Sequence, residues 1–263
     1  MNYELIRIDH EKKGVTWITI DNPPVNAVGE QLMQELEAAV DELEKNPSVR
    51  VIVVTSNHPK IFLAGADLKG MMAATGEMDG EDDPIAHKSA RMQACFHKFS
   101  SLPKPVIAAI NGHALGGGCE LALACDFRIM SKGKIGLTEL SLGIIPGAGG
   151  TQRMTHILGR ARATELIFNA KKLTPEEAYQ IGLITQVAEN LEKETTVFAE
   201  RLAEGAVHAM GLAKQAINAA EMPIEEGLKF EAKAFSDTFT TEEPGIGLMA
   251  FFQKEKAQFY TGT

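Results

Sequence analysis

Apolar and polar positions alternate along the first part of the chain in a strand, helix, strand order. Residues 3–9 and 15–21 are strand-like and flank a turn at Lys13-Gly14. Residues 29–45 carry apolar side chains at three- and four-residue spacing, which predicts an amphipathic helix. Residues 50–56 form a continuous apolar run, typical of a strand buried on both faces of a parallel sheet. This order predicts an α/β architecture.

The same alternation continues to about residue 188. Thr174, followed three residues later by Glu177, has the pattern of a capping box at the start of a helix. Residues 73–84 are acidic and poor in apolar groups, which predicts a surface loop. We expect further strands at 106–110, 127–131, 135–137 and 183–187, and further helices at 85–101, about 119–125, 149–158 and 161–169.

The composition changes near residue 189, after which the chain is helical almost throughout. Breaks are expected near Gly205, Pro223 and Pro244. We therefore predict a catalytic α/β domain over residues 1–195 and a helical C-terminal segment over residues 196–263. A chain of 263 residues is long enough for one large domain with such an appendage.

Charge and cysteine content narrow the functional classes. The net charge of −9 provides no basic footprint, so nucleic acid is a poor default partner. The 3 cysteines form no CxxC pair, which favours free thiols in a reducing compartment. The sequence contains neither a signal-like N-terminus nor an apolar run long enough to span a bilayer. We expect a cytoplasmic protein without membrane attachment.

The stretch from residue 105 to 153 holds the candidate chemistry. Glu120 and Glu139 lie there in apolar, glycine-rich surroundings, where a carboxylate is costly to bury. Gly116-Gly117-Gly118 precede Glu120 and can leave bare N–H groups at a helix start, where an oxyanion can bind. The glycines could equally form only a tight turn before a first-turn carboxylate, and Glu139 could cap a short helix. From these residues alone both interpretations stay open.

Other chemistries fit the stretch less well. The glycine run lacks the Lys-Ser/Thr pair of a phosphate-binding P-loop. His113 could in principle form a triad with Asp126 and Ser141, but no Gly-x-Ser-x-Gly elbow is present, and a structural histidine is the favoured interpretation. Cys119 and Cys125 are typical of a helix core, and we expect no metal site.

Three motifs in this order resemble the enoyl-CoA hydratase/isomerase (crotonase) family. They are Ala64-Gly65-Ala66-Asp67-Leu68, then Gly116-Gly117-Gly118-Cys119-Glu120-Leu121-Ala122, and then Glu139 with the run Ile145-Pro146-Gly147-Ala148-Gly149-Gly150-Thr151-Gln152-Arg153. The likeness extends from about residue 5 to the C-terminus and is greatest to the short-chain enoyl-CoA hydratases. It implies a spiral of ββα turns followed by a helical trimerisation segment. The implied assembly is a homotrimer or a dimer of trimers.

The resemblance also implies roles for the reacting groups. Glu120 would activate a water for attack at C3, and Glu139 would deliver a proton to C2. The backbone N–H groups of Ala66 and Gly117 would form the oxyanion hole for the thioester carbonyl. Hydratases of the family carry both acids, whereas isomerases typically keep only the one that matches Glu139. Thr138 is a departure, because many hydratases have proline there.

Further matching positions are assigned to substrate by the same resemblance. The backbone of Ala64 would touch the adenine, and Lys69 would lie near the CoA entrance. Gly147 would help to hold the attacking water. The positions implied to bind substrate or CoA are Ala64, Asp67, Leu68, Lys69 and Gly147, with Phe251 and Lys254 reaching the CoA of a neighbouring subunit.

The expected activity is the reversible hydration of trans-2-enoyl-CoA to 3-hydroxyacyl-CoA in acyl-CoA breakdown, without metal or redox cofactor. An alternative is another reaction of the family, such as enoyl-CoA isomerisation or hydration of a branched or aromatic-pathway acyl-CoA. Some members of the family bind RNA. The net charge of −9 and the lack of a basic stripe argue against that role here.

Overall fold

The computed structural model describes residues 3–66, 83–260 and 262. Asp67, Leu68, Lys69 and most of the predicted acidic loop lie outside the described residues. Within the described ranges, no helix has both the length and the apolar character needed to cross a membrane. The described strands are β1 (Ile6–His10), β2 (Val15–Ile20), β3 (Ala27–Val28), β4 (Val51–Ser56), β5 (Ile61–Leu63), β6 (Gly65–Ala66), β7 (Val106–Ile110), β8 (His113–Leu115), β9 (Phe127–Met130), β10 (Ile135–Gly136) and β11 (Gln186–Val187).

The helices are interspersed with the strands along the chain up to β11, and the described elements after β11 are all helices. Short 3₁₀ segments lie at Lys12–Gly14, Glu139–Leu142 and Ala219–Glu221. The described α-helices are α1 (Glu30–Lys45), α2 (Pro84–Ser101), α3 (Gly117–Ala124), α4 (Gly150–Leu158), α5 (Arg160–Phe168), α6 (Pro175–Gln180), α7 (Leu191–Ala203), α8 (Val207–Asn218), α9 (Ile224–Thr238) and α10 (Glu243–Gln253).

The strands form a spiral of ββα turns. The largest sheet has six strands in the order β1-β2-β4-β7-β9-β11, in which β1 pairs antiparallel with β2 and all other pairs are parallel. A second sheet has the parallel order β10-β8-β5, and β3 pairs with β6. Strands β2, β4, β7 and β9 of the large sheet are each followed by one or two short strands of a smaller sheet and then by a helix. The predicted α/β spiral is confirmed.

Both faces of the large sheet are buried. One face contributes to the main core, which includes Ile18, Ile52 and Val54 together with α1 and α2. The other face carries Val51, Val53 and Ile107 and packs against α7. A strand that is covered on both sides shows no alternation of apolar and polar residues. This explains the continuous apolar run at residues 50–56.

The helix starts that were predicted from capping chemistry agree with the structure. Thr174 Oγ1 accepts from the Glu177 N–H, and Glu177 Oε2 accepts from the Thr174 N–H, which completes the predicted capping box. The helix after the glycine run begins at Gly117, two residues earlier than expected. Its early start matters because it places Gly117 and Gly118 inside the first helical turn, with Gly116 as the N-cap.

Four short strands escaped the sequence analysis. β3, β5, β6 and β8 have only two or three residues each, too few to show a period. The strand predicted at 183–187 is confined to its last two residues, β11. The helix break that we expected near Pro244 precedes this residue, and Pro244 itself lies in the first turn of α10. Proline is compatible with a first helical turn, since that N–H has no helical partner.

The C-terminal helices pack less and less on the α/β unit as the chain proceeds. The predicted division after residue 195 falls inside α7, where Ala199 and Ala203 are fully buried against the large sheet. In α8, Lys214 Nζ donates to Phe99 O and pairs with Asp126 Oδ2, both at 2.9 Å. Helices α7 and α8 therefore pack on the spiral, whereas α9 and α10 carry mostly exposed residues. The two-part division stays a prediction.

Helix α3 rests directly on strand β5 through a glycine. A Cβ atom at Gly118 would lie 2.0 Å from the Leu63 carbonyl oxygen, which is far below van der Waals contact. Only glycine permits this approach, and it brings the N-terminus of α3 against the segment that continues into β6. The approach thus positions two separate backbone segments side by side.

We expect Gly118→Ala to lower the free energy of unfolding by about 1–3 kcal/mol, because the methyl group forces α3 away from Leu63. Gly245→Ala is the matched control, since no atom lies within 4 Å of a Cβ at that exposed helical position. Urea unfolding of both variants measures the effect. Equal stability of Gly118→Ala and the parent protein would contradict the close approach.

Candidate functional site

A large open cleft lies between α2, the N-terminus of α3 and the segment from residue 138 to 153. Glu120, Glu139, Gly117 and Gly147 all line it. Its volume is about 2140 Å³, whereas typical small-molecule pockets measure roughly 300–1,000 Å³. The cleft is therefore large enough for a ligand bigger than a typical small molecule.

Glu120 lies in the first turn of α3 and is only 2% exposed. Its Oε1 accepts hydrogen bonds from the Ala148 N–H at 2.7 Å and the Gly150 N–H at 2.9 Å. No hydrogen bond from the described residues reaches the other carboxylate oxygen. One oxygen is thus fixed by the backbone, and the second is left for a molecule in the cleft.

The turn that binds Glu120 depends on two further glycines. Gly149 has a φ of 102°, a backbone conformation that residues with a side chain rarely adopt. A Cβ at Gly150 would lie 2.9 Å from Glu120 Oε1, so a side chain there would collide with the carboxylate. The glycines of this run are needed because the backbone itself is the partner of Glu120.

Glu139 starts the 3₁₀ segment Glu139–Leu142 and lines the same cleft. A Cβ at Gly116 would lie 3.1 Å from Glu139 Oε1, which places this carboxylate beside the start of α3. Glu139 Oε2 is buried and has no hydrogen-bond partner among the described residues. A buried acceptor without a partner in the protein is a candidate to bind a ligand or to carry a proton.

The surroundings of the two carboxyl groups differ in charge. Burial, and to a lesser extent the negative charge of Glu120, together raise the pKa of Glu139 to about 7. Burial also raises the pKa of Glu120, but the Gly150 and Ala148 N–H groups and the positive charge of Arg153 act in the opposite direction. Glu120 thus has a cation nearby, whereas Glu139 has an anion. Such a pair favours one ionised and one protonated carboxyl group near neutral pH.

The backbone around Gly117 can bind a negatively charged oxygen. The first N–H groups of α3 have no partner within the helix, and a helix N-terminus carries partial positive charge. A Cβ at Gly65 would lie 3.1 Å from Gly117 N, so strand β6 passes directly beside this helix start. Ala66 pairs in that strand with Val28. The structure therefore brings the predicted N–H donors of Ala66 and Gly117 into neighbouring segments.

Two of the other residues predicted to bind substrate line the cleft. Ala64 lines the cleft, is exposed, and donates its N–H to Asn26 O at 3.2 Å. Gly147 also lines the cleft, and its carbonyl accepts from Ser89 Oγ and Gln93 Nε2. Asp67, Leu68 and Lys69 lie outside the described residues, so their assignment to substrate binding stays a prediction.

Phe251 and Lys254 are not brought to the glutamates within one chain. Phe251 is 74% exposed near the end of α10, and Lys254 caps that helix in a left-handed conformation. Neither residue is among the described residues that line the cleft. Their assignment concerned the neighbouring subunit, and it stays a prediction.

The rival chemistries lack the required geometry. His113 Nδ1 accepts from the Lys134 N–H, Ser141 Oγ donates to Thr138 O, and Asp126 pairs with Lys214. These three side chains therefore have separate structural partners. Cys119 and Cys125 are buried free thiols. Over the described ranges, no cluster of three or more His, Cys, Asp or Glu side chains could hold a metal ion.

The sequence analysis gave no role to three side chains that hold the site together. Ser89 and Gln93 of α2 bind the Gly147 carbonyl, and Arg153 binds the Ala148 carbonyl. Arg153 belongs to the glycine-rich motif, so its position in the sequence was a usable signal. Ser89 and Gln93 lie in an ordinary polar helix face, where no local pattern distinguishes them.

The chain is similar to enoyl-CoA hydratases over almost its whole length. Residues 10–262 match the family model described as enoyl-CoA hydratase/isomerase. A short-chain-enoyl-CoA hydratase of Clostridium acetobutylicum is 37% identical over 261 residues, covering 97% of this chain and 98% of the relative. A probable enoyl-CoA hydratase of Rhizobium meliloti is 38% identical over 264 residues, covering 98% of this chain and 99% of the relative.

Solved structures show the same similarity in three dimensions. An enoyl-CoA hydratase from Bacillus anthracis superposes with a TM-score of 0.87 at 35% identity, covering 99% of this chain and 100% of the other. A structure from Geobacillus kaustophilus gives a TM-score of 0.89 at 32% identity, covering 98% and 97%. The spiral of ββα turns and the paired carboxyl groups define a crotonase-fold enzyme. The chain belongs to the enoyl-CoA hydratase/isomerase family.

The proximity of the two glutamates can be tested by titration. Because the charge of Glu120 raises the pKa of Glu139, we expect Glu120→Gln to lower the pKa of Glu139 from about 7. Carbon-13 NMR of labelled glutamate carboxyl groups, assigned with Glu139→Gln, measures this change. The exposed Glu176 provides the control variant Glu176→Gln, which should leave the Glu139 titration unchanged. An unaltered Glu139 pKa in Glu120→Gln would contradict the coupling.

Proposed function

We propose that this protein is an enoyl-CoA hydratase that adds water reversibly to trans-2-enoyl-CoA to give 3-hydroxyacyl-CoA. The observation that supports this most is the pair Glu120 and Glu139, which face one cleft with different electrostatic surroundings. Addition of water across a double bond needs a base at one carbon and an acid at the next. The two carboxyl groups match these two tasks.

The reaction follows from this arrangement. Ionised Glu120 takes a proton from a water, and the water oxygen forms a bond to C3 of the enoyl group. The C2–C3 π electrons move toward the thioester carbonyl and give an enolate. Protonated Glu139 then donates its proton to C2. Water and substrate are consumed and one product forms. The pair of glutamates holds one proton before and after the reaction; this proton ends on Glu120 and must pass back to Glu139 before the next turnover.

The enolate oxygen needs hydrogen-bond donors that are already in place. We assign this role to the N–H groups of Ala66 and Gly117, which belong to neighbouring segments at the start of α3. Loss of a single such donor typically costs about 10²–10³ in rate. Polarising the carbonyl also makes C3 electrophilic, so the same donors assist the attack of water.

The remaining substrate assignments extend this proposal. Ala64 and Gly147 border the cleft, and we assign them to the CoA adenine and the attacking water. Asp67, Leu68 and Lys69 continue the motif that contains Ala66 and are assigned to the CoA side. The substrate itself carries CoA, and the proposed chemistry requires only two carboxyl groups and backbone N–H donors, without a metal or redox cofactor.

A homotrimer or a dimer of trimers is proposed as the assembly. Helices α9 and α10 expose large apolar side chains, and exposed apolar patches mark interaction surfaces in soluble proteins. In such an assembly Phe251 and Lys254 would reach the CoA of the neighbouring subunit. The exposed apolar residues of these two helices are Ile224, Leu228, Phe230, Phe235, Leu248, Met249, Phe251 and Phe252.

The proposed roles predict the effect of isosteric amide variants. We expect Glu120→Gln and Glu139→Gln each to lower kcat for crotonyl-CoA hydration by about 10²–10⁴-fold, the usual contribution of one general acid or base. Binding of the CoA ester should persist, because neither change removes the oxyanion donors. Steady-state kinetics and calorimetric titration measure the two quantities. Glu189→Gln, at an exposed position, is the control.

The same variants separate hydration from other reactions of the family. Full hydratase activity in either glutamine variant would contradict the assignment. Isomerisation of a 3-enoyl thioester needs only one carboxyl group to move a proton. An enzyme that isomerises 3-enoyl-CoA, fails to hydrate 2-enoyl-CoA and does not need Glu120 would replace the hydratase proposal with an isomerase.

A further inference from the structure

The orientation of Glu120 depends on the short turn Gly147–Gly150 rather than on another side chain. Two N–H groups of this turn, those of Ala148 and Gly150, bind Glu120 Oε1 at 2.7 and 2.9 Å. The N–H groups of a turn can orient a carboxylate only if the turn itself is held in place, and Gly149, with a φ of 102°, has no side chain that could fix it. Something must therefore hold the turn while a proton is transferred.

Arg153 holds the turn from the side of helix α4. Its Nη1 donates to the Ala148 carbonyl at 2.9 Å, and its backbone N–H donates to Gly149 O at 2.9 Å. A Cβ at Gly149 would lie 2.2 Å from Arg153 Nη1, so the guanidinium occupies the space that a side chain would fill. Gly149 is thus needed both for its backbone conformation and to admit Arg153.

Helix α2 holds the same turn from the other side. Ser89 Oγ donates to the Gly147 carbonyl at 2.6 Å, and Gln93 Nε2 donates to it at 2.9 Å. Ser89 and Gln93 lie four residues apart and so share one helix face. Two consecutive carbonyls of the turn are therefore fixed by side chains from two different helices.

The charge of Arg153 acts on Glu120 as well. Its guanidinium is half-buried, where charges interact more strongly than in water. Glu139 and the Cys119 thiol are the other titratable groups near Glu120. Cys125 and Glu221 face Arg153 from elsewhere, and Glu221 pairs with His156. Arg153 is the cation that lowers the pKa of Glu120 in this cluster.

We propose that Arg153 is a positioning residue for Glu120, which it orients through the turn Gly147–Gly150, and that Ser89 and Gln93 hold the same turn from α2. Arg153 has no contact with the reacting atoms in this role. The inference rests on the proposed hydratase function. The inference adds the charged residue Arg153 and the neutral pair Ser89 and Gln93 of α2. The pH profile separates their effects, because only Arg153 carries a charge.

The test compares Arg153→Met, Arg153→Lys and the surface control Arg160→Met in the full-length enzyme. Displacement of a catalytic group by about 1 Å can cost about 10²-fold in rate, so we expect a comparable fall in kcat for Arg153→Met with KM nearly unchanged. The acidic limb of the kcat/KM–pH profile should move to higher pH, because Glu120 loses its neighbouring cation. Arg153→Lys should keep that limb in place and recover part of kcat.

A second variant keeps the test decisive if Arg153→Met fails to fold. The double change Ser89→Ala with Gln93→Ala removes two neutral donors, so kcat should fall while the acidic limb stays in place. The proposal is overturned if Arg153→Met matches Arg160→Met in kcat and in pH profile. If Arg153→Met does not fold, the proposal is overturned when Arg153→Lys and the double Ser89→Ala, Gln93→Ala variant both match Arg160→Met. Failure of the hydratase proposal is distinct, because the parent enzyme would then hydrate no 2-enoyl-CoA. In that case carbon-13 NMR titration of Glu120 in the parent protein and in Arg153→Met would still measure the effect of Arg153 on the pKa of Glu120.

Discussion

Two carboxyl groups buried in one apolar cleft cannot both be ionised at low cost. This constraint governs the site, because the charge of Glu120 raises the pKa of Glu139, already elevated by burial, to about 7. The protein resolves it by giving the two groups different partners. Glu120 receives two backbone N–H bonds and a nearby guanidinium, whereas Glu139 Oε2 has no partner among the described residues. The pair can therefore share a single proton, as an acid and base must.

The fold serves this arrangement through close backbone approaches. Glycines at 65, 118 and 150 bring strand β6, helix α3 and the turn before α4 within contact of one another. Any side chain at these positions would separate the segments that carry the N–H donors from the glutamates. The ββα spiral provides the rigid support, since both faces of its large sheet are packed. The packed sheet is thus the frame that carries the segments of the site.

Much of this could be predicted from the sequence, and the limits have physical reasons. The long amphipathic helix α1 and the apolar strand β4 have strong periodic signals. β5 and β6 lack them, because two or three residues cannot show a period. The glutamates were recognisable as acids in apolar surroundings, yet their different environments arise from tertiary contacts. The Ala148–Glu120 bond and the Arg153–Ala148 bond close the site. The glycine-rich motif marked Arg153 as a candidate, but no local pattern specifies the partner in either bond. Ser89 and Gln93 had no signal for the same reason.

The central claim is that one carboxyl of the pair must hold a proton when 2-enoyl-CoA binds. Its most direct test is the pH dependence of kcat/KM for crotonyl-CoA hydration, which reports the ionisation of the free enzyme. Because burial and Glu120 raise the pKa of Glu139 to about 7, kcat/KM should fall with a single-proton limb above about that pH. Dehydration of 3-hydroxybutyryl-CoA should show the same profile, since the reaction takes up no net proton. Values that stay level to pH 9 would contradict the account.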